Sequence, residues 1–133
     1  MSGFAIRAAR REDAETWRSL RNAHWPSGAE DHEREIAAFF AGTAAEPQAV
    51  FLAERKGEVV AVMELSIRID LASLVGVKVG YVEGFYIVPR CRGKGLARLL
   101  LRAAQEWSRK QGCTAFASDR AGRVIVDPNF GID

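Results

Sequence analysis

Residues 80–111, GYVEGFYIVPRCRGKGLARLLLRAAQEWSRKQ, constrain the fold more than any other stretch of this chain. Gly80 to Val88 is a β-capable run that Pro89 stops, because proline lacks the N–H that a ladder needs. From Gly95 to Gln111 the apolar residues Leu96, Leu99, Leu100, Ala103 and Trp107 follow the i, i+3, i+4, i+7, i+11 spacing of a helix with one buried face. Arg98, Arg102, Arg109 and Lys110 fall outside that stripe. Between strand and helix lie Arg90, Arg92, Lys94 and two glycines, Gly93 and Gly95. That order makes an anion site. The first N–H groups of a helix lack partners, its dipole places about half a positive charge there, and glycine puts no Cβ in the way of a phosphate. The turn is neither a Walker A loop nor a dinucleotide fingerprint, which need other glycine spacings.

The remaining segments read as alternating strands and helices. Phe4-Ala5-Ile6-Arg7 starts a strand; Ala14, Trp17 and Leu20 recur as on one face of a helix; Trp25-Pro26-Ser27-Gly28 breaks it. Ile36, Phe39 and Phe40 mark a second amphipathic helix, which Gly42 ends. Val50–Ala53 and Val59–Asp70 form a hairpin around residues 55–58, where Gly57 supplies a positive φ. In its second arm Met63, Leu65, Ile67 and Ile69 alternate with Glu64, Ser66, Arg68 and Asp70, giving one apolar and one charged face. In the next run, period-2 counting sets Glu83 on one face with Tyr81 and Phe85. Gly84, in mid-strand, marks a bulge or the close approach of another group. Gly112 caps the long helix and Ala115–Ser118 starts one more strand, so the fold class is α/β, layered.

With 133 residues, 48% of them hydrophobic and 27% charged, the chain suits one ordinary globular domain. A net charge of +2 argues against nucleic acid or an anionic membrane as partner. No apolar run reaches the roughly 18 residues of a membrane span. The two cysteines, Cys91 and Cys113, form neither a CxxC pair nor a disulfide framework, and the N-terminus lacks an apolar signal core. A soluble cytoplasmic protein is expected. His24 and His32 read as surface or structural residues, and their spacing suggests no metal site.

Arg92-Gly93-Lys94-Gly95-Leu96-Ala97 resembles the acyl-CoA pyrophosphate loop of the GNAT superfamily of N-acetyltransferases, Arg/Gln-x-x-Gly-x-Gly/Ala, and the preceding YIVP is similar to the end of that family's fourth strand. The resemblance implies a mixed, mostly antiparallel sheet flanked by helices, acetyl-CoA as cofactor, and contacts to it from Phe85, Tyr86, Ile87 and Val88 as well as the six loop residues. WRSLRNAHWP (17–26), ELSIRID (64–70), VEGFYIVP (82–89) and CTAFASD (113–119) together resemble the aminoglycoside 6′-N-acetyltransferases. These acyltransferases confer antibiotic resistance by moving acetyl to a primary amine of the drug, a small-molecule partner.

Such an amine is protonated at neutral pH and must lose a proton before it attacks a thioester. Glu83 and Asp119 are the candidate bases, and each is equally suited to holding the cationic substrate. Glu83 also reads as a solvated strand carboxylate and Asp119 as a helix N-cap. A polycation asks for an acidic pocket, with Glu64, Asp70, Glu83 and Asp119 as contributors. Trp25 is either an aromatic wall for a sugar ring or a core residue. Strand N–H groups near Ile87 and Val88 would meet the developing oxyanion. The tyrosine acid that most GNAT enzymes carry after the fifth strand has no counterpart, since Tyr81 and Tyr86 lie on the earlier strand.

The resembling enzymes continue past the fifth strand with a helix and two strands. The 14 residues from Arg120 to Asp133 are too few for three elements of ordinary length. The expectation is therefore a single domain, 1–133, shortened after about residue 119 and lacking those last elements, with Ala115–Ser118 as an open sheet edge. Either a homodimer covers that edge or the chain is a truncated product.

Overall fold

A computed structural model describes residues 3–71, 74–120, 123–127 and 130. Six strands form one sheet in the order β1 (Ala5–Ala8), β2 (Ala49–Arg55), β3 (Glu58–Arg68), β4 (Val79–Ile87), β5 (Ala115–Arg120) and β6 (Arg123–Val126). Neighbours are antiparallel except β4 and β5, which run parallel. A parallel pair needs a crossover, and α3 (Leu96–Lys110) supplies it. The helices α1 (Ala14–His24) and α2 (Ala29–Ala41) lie on the other face.

Each face has its own apolar core. Beneath α3, Leu96 and Leu100 of the stripe meet Ala61, Met63, Leu65 and Phe116, and Ala104, outside the predicted stripe, is buried with them while Leu99 and Trp107 are only partly buried. Beneath α1 and α2, Trp17, Leu20 and Ile36 meet Val50, Leu52 and Val62, and Trp17 packs edge-on against Phe39 and Phe40. From Ala61 onward, alternation along β3 sends Met63, Leu65 and Ile67 to α3, as its sequence predicts. Lys56 (φ 52) and Gly57 (φ 79) make the two-residue turn of the β2–β3 hairpin, both in the left-handed conformation such a turn demands.

β4 departs from simple alternation. Gly84 pairs with Glu64 but Val82 pairs with Leu65, so Glu83 is an extra residue, a bulge. The face assignment expected for this strand is corrected accordingly. Phe85 and Ile87 pack into the α3 core while Tyr86 joins the α1–α2 core, so Phe85 does not share a face with Glu83. The bulge is also where the sheet opens. β4 pairs with β5 only from Val79↔Ala115 to Val82↔Ser118, whereas it pairs with β3 as far as Ile87.

The expected open edge at Ala115–Ser118 is likewise corrected. The chain turns straight back as β6, pairing Ala117 with Val126 and Ser118 with Ile125. One strand of four residues fits where three elements do not.

Gly80 is required by packing. A Cβ there would lie 2.0 Å from Ser108 Oγ and 2.6 Å from Ser108 Cβ on buried α3. Gly80→Ala is expected to push helix from sheet and cost about 2–3 kcal/mol of stability, read by urea denaturation.

Candidate active site

The gap between β4 and β5 exposes main-chain groups. Val88 N–H donates to Val60 C=O at 2.9 Å, which sets the alternation of the β3–β4 ladder. Tyr86 then faces β3 in the same way, and the N–H and C=O groups of Phe85 and Ile87 point away from it, into the gap. Val88, expected as a possible oxyanion donor, has its N–H committed to the ladder; that part of the expectation is corrected, and Ile87 retains an outward N–H. The Ile87 carbonyl accepts from Arg92 Nε at 2.8 Å, and the Arg92 guanidinium sits 5.3 Å from the Tyr86 ring centre. A cavity of about 500 Å³ follows the strand, lined by Ala23, His24, Phe85, Tyr86, Ile87 and Arg92.

At one end of the cavity the chain enters α3. Cys91 and Arg92 N–H groups close a short 3-10 turn on Val88 and Pro89 carbonyls. Gly93 (φ 75) and Gly95 (φ 83) then adopt the left-handed conformation, and no heavy atom lies within 4 Å of where a Cβ would stand on either. The first turn of α3 contributes the N–H groups of Leu96 and Ala97, which have no intrahelical acceptor. Lys94 is exposed beside them. This is a cradle of backbone donors and cations that fits a pyrophosphate. Leu96 offers only its main chain, since its side chain is core. Arg90 turns away to Glu58, 2.8 Å distant.

Across β4 lies the acidic side. Glu64 is 2% exposed and fully engaged: it accepts from Trp17 Nε1 at 2.9 Å, Arg21 Nε at 2.7 Å and Arg21 Nη2 at 2.8 Å. Arg21 also pairs with Glu35 of α2. Glu64 therefore anchors α1 to the sheet and does not face open space, in contrast to the expectation that it contributes to a substrate pocket. Glu83 accepts from Arg68 Nε at 2.8 Å and Arg68 Nη2 at 2.9 Å. The same guanidinium lies 4.5 Å from the Tyr81 ring centre. Burial pushes the Tyr81 hydroxyl up, and Asp119 and Glu83 push it the same way against Arg68, which places Asp119 in the same electrostatic group. Asp119 and Asp70 are exposed.

Trp25, 36% exposed, forms the wall between the two regions. A Cβ on Gly84 would come within 2.6 Å of its indole, so the mid-strand glycine is explained by this close approach. Arg21 lies 5.6 Å from the Trp25 ring centre, and the His24 ring centre is 4.3 Å away with the two planes tilted at 60°. The His24 imidazole is held below its ordinary value, chiefly by burial and further by Arg92, with Glu64 opposing.

Of the residues expected at a site, Phe85, Tyr86, Ile87 and Arg92 line one cavity, Gly93–Ala97 adjoin it, and Trp25 and Glu83 stand close by on the other side. The sequence assigns no site role to Arg68 or Arg21, and it reads His24 as surface or structural. Arg68 carried a signal, because it alternates with Glu64 and Ser66 on the charged face of β3.

Glu64→Gln is expected to leave Arg21 without its counter-charge and cost about 3 kcal/mol in urea denaturation. In an NMR titration His24 is expected to titrate below the usual histidine midpoint, and Arg92→Ala to raise that midpoint by removing a nearby positive charge.

The acetyltransferase (GNAT) family model matches residues 14–125. Among characterised relatives, an aminoglycoside N(6′)-acetyltransferase type 1 of Klebsiella aerogenes is 40% identical over 116 residues, covering 86% of this chain and 76% of the relative. The enzyme of the same name from Stenotrophomonas maltophilia is 39% identical over 120 residues, covering 89% and 76%. Among solved structures, AAC(6′)-Iy in complex with the bisubstrate analogue CoA-S-monomethyl-acetylneamine superposes with a TM-score of 0.80 at 28% identity, covering 89% of this chain and 80% of that one. The apo enzyme AAC(6′)-IG from Acinetobacter haemolyticus gives 0.78 at 31% identity, covering 88% and 79%. With a sheet that opens at the β4 bulge and a glycine cradle at the start of α3, this chain belongs to the GNAT acetyltransferase family.

Proposed function

We propose that this protein is an acetyl-CoA-dependent N-acetyltransferase acting on the 6′-amine of an aminoglycoside. The observation that carries the reading is the opening of the sheet at Glu83. It sets outward main-chain groups of Phe85 and Ile87 between a phosphate cradle and a group of carboxylates. The names of the relatives support both halves, being those of aminoglycoside N(6′)-acetyltransferases and of a complex with a CoA-linked aminoglycoside analogue.

Acetyl-CoA supplies a thioester carbonyl when bound. Gly93, Gly95 and the N–H groups of Leu96 and Ala97 would hold its pyrophosphate, with Arg92 and Lys94 adding charge. Phe85, Tyr86 and Ile87 line the path of its arm. The Ile87 N–H is oriented in advance toward negative charge developing on a carbonyl oxygen, which is how a backbone donor lowers such a barrier. Asp119 is exposed and takes the proton from the substrate ammonium, directly or through a water. Glu83 holds positive charge at the same place, and Asp70 adds to the field along the rim. Trp25 gives the sugar ring a flat apolar wall. A thiolate leaving group with an ordinary thiol pKa near 8.5 would need no dedicated acid.

We read residues 1–133 as one N-acetyltransferase domain, because all six strands share a sheet. We place it in the cytoplasm, where its buried free thiols Cys91 and Cys113 stay reduced and its acetyl donor is made. We also read it as a homodimer. The support is no longer an open β5 but the outer edge of β6, where Ile125 is 46% exposed.

The test is release of free thiol from acetyl-CoA with kanamycin A, against a related aminoglycoside bearing a 6′-hydroxyl. Release with the amine alone is expected, and Asp119→Asn should lower that rate about 100-fold. Saturable acetyl-CoA binding without release from any amine would identify a binding protein instead.

A further inference from the structure

Two strand carboxylates beside the proposed substrate side already have a cation from this chain, while Asp119 on β5 is exposed. Glu64 is matched by Arg21, and Glu83 by Arg68. The two pairs differ in kind. Glu64 and Arg21 are both buried and join two elements, whereas the Arg68 and Glu83 side chains keep 32% and 18% of their surface in solvent. Arg68 makes a two-pronged contact to Glu83 and lies face-on over Tyr81. A carboxylate fork beneath an aromatic face is the usual recognition of an organic cation. Glu46 and Asp119 add negative charge around the guanidinium and the ring. Beside this group, Ser66 stands directly across the ladder from Tyr81, and its buried hydroxyl has no hydrogen-bond partner among the described residues.

We propose that Arg68 is an internal stand-in for a non-reacting ammonium of the substrate, filling a cation site formed by Glu83 and the Tyr81 ring until a polyamine displaces it. This rests on the aminoglycoside reading above and names the specificity device within that site. A polycationic substrate has a second charge to exchange for Arg68; an amine with a single nitrogen has none, because its one ammonium must be deprotonated to react. Arg68 thus makes the site select by the number of charges.

The sign of the consequence is unusual. Removing a positively charged residue that touches a supposed substrate site ordinarily disturbs the site. Here Arg68→Ala removes a competitor. The contact it gives up, a partly exposed ion pair with an aromatic face, corresponds to about tenfold in binding. A residue that merely orients Glu83 would give the opposite result.

The experiment measures KM and kcat for kanamycin A and for a sugar bearing one amine, in wild type, Arg68→Ala and Arg68→Lys, with acetyl-CoA saturating. Calorimetric binding of kanamycin A in the presence of CoA accompanies it. Expected are a KM for kanamycin A about tenfold lower in Arg68→Ala, a smaller drop in Arg68→Lys, and an unchanged KM for the monoamine. In the wild type, the Arg68 Nε–H resonance should shift as kanamycin A saturates, a readout that holds even if Arg68→Ala fails to fold. An unchanged or higher KM in the variants, or a resonance that does not move at saturation, overturns the proposal while leaving the acetyltransferase reading intact. If neither wild type nor Arg68→Ala binds kanamycin A, both readings fall.

Discussion

Glu83, one residue more on β4 than β3 can pair, governs the site side of this molecule. Were Glu83 paired in strict alternation rather than bulged out, Tyr86 would turn into the core under α3. With the bulge, Gly84 and Tyr86 turn toward α1 while Phe85 and Ile87 seal the opposite core. The strand bends at the same point, so the parallel ladder to β5 ends at Val82. A bulge costs a ladder pair, and here the unmatched residue is an acid held by a guanidinium, so the cost falls where polar chemistry is wanted.

The second constraint is electrostatic. Arg21 reaches two carboxylates, Glu64 on the sheet and Glu35 on α2, and Trp17 donates to the same Glu64. Burying such a network rarely adds net stability, but it tolerates one arrangement only, because any other leaves a charge unmatched in a dry place. The apolar packing of Trp17 against Phe39 and Phe40 would accept small rotations of α1. The ion network does not, and the position of the α1 terminus relative to β4 follows from it.

What the sequence disclosed depended on how local the signal was. Helix α3 and its glycine turn were legible because a stripe of apolar residues, a proline and two glycines each act within a few residues of themselves. Gly84 was legible as an anomaly but not as an explanation, since the Trp25 indole that excludes a Cβ comes from a segment some sixty residues earlier. Face assignments beyond Glu83 were misread because period-2 counting carries no record of an inserted residue. Val88 was misread because which N–H points outward depends on the phase of a ladder with Val60. The strand β6 escaped because the last segment was measured against three elements, although RVIV alone is β-branched enough to make one. Arg68 escaped because a pocket for cations invites a search for acids. Its own partner was found and it was not.

The clamp at Arg21 has a consequence for how such a protein can change over generations. The guanidinium holds both helices and lies under the Trp25 ring, upstream of the connection formed by Pro26, Ser27 and Gly28, all exposed. Sequence drift in that connection is mechanically isolated from the aromatic wall. Pro26 and Ser27 are free to give way to side chains that meet larger or differently decorated sugars, while Gly28 (φ 86) stays fixed at the start of α2 and Trp25 stays at its station over Gly84. Recognition can therefore diversify at the rim without renegotiating the geometry of the reaction beneath it.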